Sequence, residues 1–279
     1  MSEDFETHRR FLVGLAYRML GSFAEAEDIV QDAFLRWNDT DRAAVAHPRA
    51  FLARVVSRLC LDRMKSAAAR REQYVGTWLP EPVVAAPSEP IADDLSMALL
   101  LTLERLSPLE RAAFLLHDVF DMDYSAIAET LGRSEAACRQ LAARAREHVR
   151  DDRPRFAATD EERWRVTSAF ETALANGDID VLARVLADDA VLYTDGGGKR
   201  LAALNPIYGK AKILRFFAGV TSKGRAVQPQ QLERAQINGL PGYVVHTDEG
   251  VETLAFEVAG DQIVAIYAVR NPDKLRHLS

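Results

Sequence analysis

Cysteine is scarce in this chain: Cys60 and Cys138 are the two among 279 residues. Both fall at helical positions in line with apolar neighbours, so they read as small buried residues. Two isolated thiols exclude a disulfide framework and give a cysteine-based metal site no ligand set. Long apolar runs are missing as well. No stretch approaches the eighteen or so apolar residues of a membrane span, and the opening Met1-Ser2-Glu3-Asp4 is acidic rather than signal-like, so a cytoplasmic protein is expected. Net positive charge is also lacking. The sum is −6 at pH 7, which taken alone argues weakly against a nucleic-acid binder. The glycine run Gly196-Gly197-Gly198-Lys199 is followed by Arg200, with neither the Ser or Thr nor the spacing of a phosphate-cradling loop. No cofactor and no metal are expected.

What the chain does have is local charge and helical pattern. Residues 41 to 71 carry Arg42, Arg49, Arg54, Arg58, Arg63, Lys65, Arg70 and Arg71 against Asp41 and Asp62. Residues 133 to 150 carry Arg133, Arg139, Arg144, Arg146 and Arg150 against Glu135 and Glu147, and the stretch between is acidic. Two separated basic surfaces suit contact with phosphates at two places.

With 48% apolar residues and this length, two or three compact units are expected. The first, residues 1 to 71, reads as helices throughout. Ser22 followed by Glu25 has the Ser-x-x-Glu form of a helix start. Beyond it Ala26, Ile29, Val30, Ala33 and Phe34 make an apolar face, opposite Glu25, Asp28, Gln31, Asp32 and Arg36. Pro48 suits the first turn of another helix, whose inward face is expected at Phe51, Leu52, Val55, Val56 and Leu59 and whose polar face holds Arg54, Arg58, Asp62 and Lys65. Residues 72 to 92 break the pattern with Pro80, Pro82, Pro87 and Pro90, a linker whose Trp78 and Leu79 are expected to dock into a groove.

Residues 93 to 152 are helical again. Ser107-Pro108-Leu109-Glu110 has a Ser cap, Pro at the first position and Glu at the third. Residues 124 to 131 form a short helix, Gly132 permits a tight turn, and Ser134 caps the next helix, which packs Cys138, Leu141, Ala145 and Val149 and leaves Arg139, Gln140 and Arg144 outward. That is a helix-turn-helix whose second helix can reach base edges or phosphates in a major groove. Residues 160 to 279 change texture. Helices over 161–176, 178–186 and 209–218, with strands over 190–194, 243–246, 251–258 and 262–269, indicate α+β.

The stretch from Leu20 to Phe34 resembles the polymerase-docking helix of extracytoplasmic-function (group IV) sigma factors, and the helix-turn-helix follows in that family's order. The chain further resembles the sigma-J-like subgroup, which carries a fused C-terminal SnoaL-like, NTF2-like cone domain. Three motifs carry this: Trp78-Leu79-Pro80-Glu81-Pro82, Asp195-Gly196-Gly197-Gly198-Lys199 and Asn271-Pro272-Asp273-Lys274-Leu275. The resemblance implies a multidomain protein of two all-α sigma domains and an α+β cone. It implies sigma region 2 at 1–71, the linker at 72–92, region 4 at 93–152 and a SnoaL-like regulatory domain with its tail at 160–279. Asp28, Gln31, Asp32 and Phe34 would bind core RNA polymerase. Asn38, Arg54, Arg58, Asp62 and Lys65 would read the −10 element of promoter DNA, and Ser134, Arg139, Gln140 and Arg144 the −35 element. Trp78, Leu79, Pro80, Asp195, Gly196, Gly197, Gly198, Lys199, Asn271, Pro272, Asp273 and Lys274 would act between domains, with no separate anti-sigma factor.

Other readings stay open on the residues alone. One is a one-component regulator that senses a small-molecule ligand in the third domain and binds DNA through residues 134 to 148. Another is a cyclase- or isomerase-type enzyme, for which Asp195 and His246 are the tempting acid-base pair. A lone His in a strand is more often a packing or surface residue, and a non-enzymatic protein is expected.

Overall fold

A computed structural model describes residues 3–72, 74–85, 96–151, 158–222 and 231–278. It divides into two compact units, Met1–Gln73 with Ala98–Arg153, and Tyr74–Met97 with Pro154–Ser279. No helix among the described residues is long and apolar enough to cross a membrane.

The first unit is all-helical: α1 (Glu3–Leu20), α2 (Phe23–Asn38), α3 (Pro48–Glu72), α4 (Met97–Arg105), α5 (Pro108–Phe114), α6 (Tyr124–Leu131) and α7 (Glu135–Asp151). Helix α2 starts where Ser22 Oγ accepts the Glu25 N–H at 3.2 Å, and it buries Ala26, Ile29, Val30, Ala33 and Trp37. Helix α3 buries Leu52, Ala53, Val56, Ser57, Cys60 and Met64. Leu52 and Val56 are buried as expected, while Phe51, Val55 and Leu59, also expected inward, flank that stripe half-buried. Burial pushes the Cys60 thiol well above its usual range, so it is a packing group and not a reactive one.

Ser107 and Glu110 close a reciprocal capping box at the start of α5. A π-helical turn, Leu115–Val119, then aims Phe120 edge-on at Phe11 of α1, with ring centroids 4.9 Å apart. Arg111 of α5 is buried and donates to the Met19 carbonyl and the Glu104 carboxylate, each at 2.7 Å. Helix α6 ends at Gly132 in the left-handed region (φ 63°), and Ser134 Oγ accepts the Ala137 N–H at 3.2 Å to start α7. Ile127, Leu131, Cys138, Ala142 and Ala145 form the inner seam of this helix-turn-helix.

The second unit packs α8 (Asp160–Asn176), α9 (Ile179–Val185) and α10 (Lys210–Ser222) against a sheet of β1 (Val84–Ala85), β2 (Leu186–Asp195), β3 (Ile207–Tyr208), β4 (Gln231–Ile237), β5 (Leu240–Thr247), β6 (Gly250–Ala259) and β7 (Gln262–Val269). The strand order is β1-β4-β5-β6-β7-β2-β3, antiparallel except where β2 runs parallel to β7. Val166, Phe170 and Ala173 of α8, Leu182 of α9 and Ile213 of α10 share one core with Leu192, Tyr243, Phe256 and Ile266 of the sheet. This is the α+β arrangement expected from the SnoaL-like resemblance. Leu186, expected to end a helix, instead opens β2, its backbone extended once Val185 has closed α9.

Strands β4 and β5 meet in a two-residue turn, Asn238-Gly239, with φ 51° and 74°, the conformation that matches sheet twist. The proline-rich linker supplies the edge strand β1, whose Val84 pairs with Ile237 and Ala85 with Gln236. Phe170 is fully buried among Phe217 and Phe256, at centroid distances of 5.6 and 5.0 Å. Phe170→Ala should therefore cost about 3–5 kcal/mol. Calorimetry of the full chain should show the second unit's transition falling while that of the first stays in place.

Candidate functional site

The second unit gathers linker, glycine turn and tail around one carboxylate. Asp195 ends β2 with no exposure to solvent. Its Oδ1 accepts from Tyr74 Oη at 2.5 Å and from the Gly197 N–H at 3.0 Å, and its Oδ2 accepts from the Leu79 N–H at 2.9 Å and Lys274 Nζ at 2.7 Å. A buried carboxylate is tolerated when its lone pairs are satisfied in this way. The Asp195 carbonyl also accepts the N–H groups of Arg270 and Asn271, so backbone and side chain hold the tail together.

Lys274 Nζ donates as well to the Leu79 carbonyl and sits 4.2 Å from the Trp78 ring centroid, a cation over an aromatic face. Asn271 Nδ2 donates to Tyr74 Oη at 2.8 Å, and Lys199 Nζ meets Asp273 at 2.5 Å. A second tie lies at the hairpin turn, where Asn238 donates its N–H to the Val83 carbonyl (2.8 Å) and accepts the Val83 N–H on Oδ1 (3.2 Å).

The glycines are required by space. A Cβ on Gly196 would stand 2.2 Å from the Arg200 carbonyl oxygen, and one on Gly197 (φ 59°) would stand 2.3 Å from Asn271 Nδ2. Gly198 brings its backbone against Val75 of the linker. Trp78, Leu79, Asp195, the glycine run, Lys199, Asn271, Asp273 and Lys274 thus converge on one site. Pro80 is buried beside them, while Pro272 opens the short 3-10 turn Pro272–Lys274. Tyr74, Val75 and Asn238 also belong to the site; Tyr74 and Val75 fall in no motif, and Asn238 is marked by the Asn-Gly of the hairpin turn alone. His246 is elsewhere: it lies on β5, with β6 and β7 between it and the β2 strand of Asp195. There it stands 3.6 Å from Glu233, so the two tempting acid-base groups do not meet.

In the first unit the exposed side of α2 presents Asp28, Gln31 and Asp32, with Leu35 54% exposed next to them. Phe34 is half-buried edge-on against Phe5, at 5.1 Å, and belongs to the α1–α2 packing. Asn38 is exposed at the end of α2.

On α3 the basic residues Arg54, Arg58 and Lys65 have partners. Arg54 donates through both terminal nitrogens to Glu129 of α6, at 3.0 and 2.6 Å. Arg58 donates to the Thr130 and Glu129 carbonyls, at 3.1 and 2.9 Å. Lys65 pairs with Asp62 at 2.8 Å. On α7, Gln140 and Arg144 are exposed, and Arg139 pairs with Glu135 at 2.6 Å and lies over the Tyr124 ring. Ser134 serves as the cap described above. Arg146 bonds Asp118 and Tyr124 and so braces the module.

A helical module with a basic helix, joined to a helix-turn-helix, is an arrangement suited to contact with DNA. Accordingly, the family model for sigma-70 region 2 matches residues 5–70 and that for sigma-70 region 4 matches residues 96–149. The chain is 39% identical to the ECF RNA polymerase sigma factor SigJ of Mycobacterium tuberculosis, over 97% of this chain and 92% of that protein. The crystal structure of the M. tuberculosis extracytoplasmic-function sigma factor SigJ superposes with a TM-score of 0.78 at 38% identity, covering 98% of this chain and 97% of that one. A shorter match, 31% identical, joins 52% of this chain to 85% of the ferric citrate uptake sigma factor FecI of Escherichia coli. The chain belongs to the extracytoplasmic-function RNA polymerase sigma factors, a family of promoter-specific transcription initiation factors.

Two expectations concern the clasp. Asp195→Asn removes the charge facing Lys274 and sets an amide N–H against a donor, so it should cost about 3–5 kcal/mol and expose the tail to protease. The second is a pH window. Lys199 first, and then Arg276, hold the Asp273 carboxyl below the usual carboxylate range. Its contribution is complete above about pH 4 and fades as pH falls through the lowered value. Burial first, and then Asp195, push the Tyr74 phenol far above its usual range. That contribution is complete below about pH 10 and fades as pH rises through the raised value. The indole and Leu79 amide NMR shifts should move as pH falls below about 4 and again as it rises above about 10, and shifts constant through both limits would contradict this account.

Proposed function

We propose that this chain docks on core RNA polymerase through the exposed face of α2, at Asp28, Gln31, Asp32 and the neighbouring Leu35, with Phe34 holding that helix against α1. Asn38, Arg54, Arg58, Asp62 and Lys65 serve the −10 element. Arg139, Gln140 and Arg144 serve the −35 element, with Ser134 fixing the start of the reading helix. Guanidinium and amide groups on such faces recognise phosphates and base edges.

The second unit regulates in cis. The observation that supports this is the convergence of linker, glycine turn and tail on Asp195. The chain leaves α3 at Glu72 and enters the clasp at Tyr74, so the tether between the two DNA-reading modules is fixed along residues 74 to 85. A signal that favours one arrangement of those modules shifts the polymerase-competent population. The fused domain in this way takes the role of a separate anti-sigma protein, and the protein needs no catalysis of its own. Its place of action is the cytoplasm, with the polymerase.

Run-off transcription with core polymerase from the chain's own upstream region tests this. The full chain should yield transcript, and Trp78→Ala or a chain ending before Asn271 should change its amount several-fold, the order of a 1 kcal/mol shift in population. Unchanged transcript from both variants would sink the clasp as a regulator. Specific DNA binding without any transcript would instead favour the ligand-sensing regulator.

A further inference from the structure

The π-helical turn Leu115–Val119 sends two neighbouring side chains toward the helix-turn-helix, and such turns are uncommon outside functional sites. His117 Nδ1 bonds the Met122 carbonyl at 3.0 Å, which holds its ring against that of Tyr124 with centroids 4.1 Å apart. Asp118 accepts from Arg146 Nε at 2.6 Å. Tyr124, the first residue of α6, is half-buried where these groups meet. Its Oη accepts from Arg146 Nη2 at 3.0 Å, and its ring lies under the Arg139 guanidinium, with Cζ 5.1 Å from the centroid. Arg139 and Arg146 are two turns apart on α7 and so share one flank of that helix. One tyrosine thus touches both, by its ring at one end and its hydroxyl at the other.

We propose that Tyr124 is a positioning residue for promoter recognition: its ring is the platform that aims the Arg139 guanidinium at one base pair of the −35 element. The inference rests on the −35 role assigned above to Arg139. A long, free arginine side chain gives up rotamer freedom when it binds, and one already ordered gives up less. An aromatic face attracts a guanidinium without consuming an N–H donor, so the edge that makes paired hydrogen bonds to guanine stays available. Glu135 takes one of those donors at 2.6 Å, but that pair is 55% and 46% exposed, so it exchanges readily for a base edge. The ring contact survives the exchange. Arg144, exposed farther along α7, has no such platform among the described residues, which sets Arg139 apart as the aimed side chain. Arg146, held by Asp118 and the Tyr124 hydroxyl, keeps the platform itself in place.

The test uses the full chain bound to core polymerase and a library of the chain's own upstream region randomised across the −35 element, with transcripts counted by sequencing. Arg139→Ala should flatten the preference at the base pair it reads. Tyr124→Leu should weaken the preference at that same base pair about two- to fivefold, the worth of one exposed cation–aromatic contact, and leave the other −35 positions as in the parent. In the Arg139→Ala chain, Tyr124→Leu should add no further loss there. Tyr124→Phe and Tyr124→Trp keep a ring and should keep the preference. Weakening spread evenly over the element would show that Tyr124 supports the module as a whole, and would overturn the positioning role. Loss of the preference in the two ring-bearing chains would overturn it as well, and those chains decide the matter even where the leucine chain does not fold. Parent-like preferences in Tyr124→Leu, beside a flattened base pair in Arg139→Ala, would sink the proposal and leave the −35 role of Arg139 standing. If Arg139→Ala changes no preference, that role fails and the proposal falls with it.

Discussion

Asp195 is a carboxylate with no access to water, and the second unit is organised by the need to satisfy it. Burial of an unpaired carboxylate costs several kcal/mol, so the native chain must deliver donors to it. It does so from places far apart in sequence: Tyr74 and Leu79 lie 121 and 116 residues away, Lys274 79 residues away. Only an arrangement that brings linker and tail to the end of β2 meets the requirement. The glycine turn serves the same end, since side chains at Gly196 and Gly197 would fill the space of Arg200 and Asn271. One buried charge thereby fixes three motifs that are separate along the chain.

The two units use ion pairs of opposite character. Asp195 and Lys274 are sealed, 0% and 12% exposed, and reinforced by aromatic rings above the ammonium. Removing either partner leaves a charge stranded, so this pair acts as a fixture. Arg54 and Glu129 are open to solvent, where such pairs contribute roughly 0–1 kcal/mol and screen away with salt. A contact of that size exchanges readily for another partner, whereas the buried pair does not.

How much was legible in the sequence depends on how local the signal is. The helix-turn-helix is written in neighbours: Gly132 for the left-handed turn, Ser134 for the cap, apolar spacing for the seam. Gln262–Val269 reads correctly as a strand because it is rich in β-branched and aromatic residues. Strand β1 is two residues long behind prolines and exists through its partner β4, so nothing local marks it. Strand β4 begins with exposed Gln231, Leu232, Glu233 and Arg234 and lacks a clean alternation, although Asn238-Gly239 is a readable hairpin signal. The clasp residues are visible as motifs only through family resemblance, Tyr74 and Val75 lie outside every motif, and the hairpin signal at Asn238 says nothing of its tie to Val83. The Arg54–Glu129 pair joins residues 75 apart on two helices that each look solvated alone, and periodicity has no access to such a contact.

The surfaces of the first unit differ in accessibility, and that difference bears on the order of events. Asp28, Gln31, Asp32 and Leu35 on α2 are exposed in the same structure in which Arg54 and Arg58 on α3 are engaged by α6. A partner that met α2 would find its polar face open, whereas one that met Arg54 and Arg58 would have to displace α6. A large partner that grips α2 and also favours that displacement supplies its free energy from its own contacts, because a ligand shifts such an equilibrium by its differential affinity for the two states.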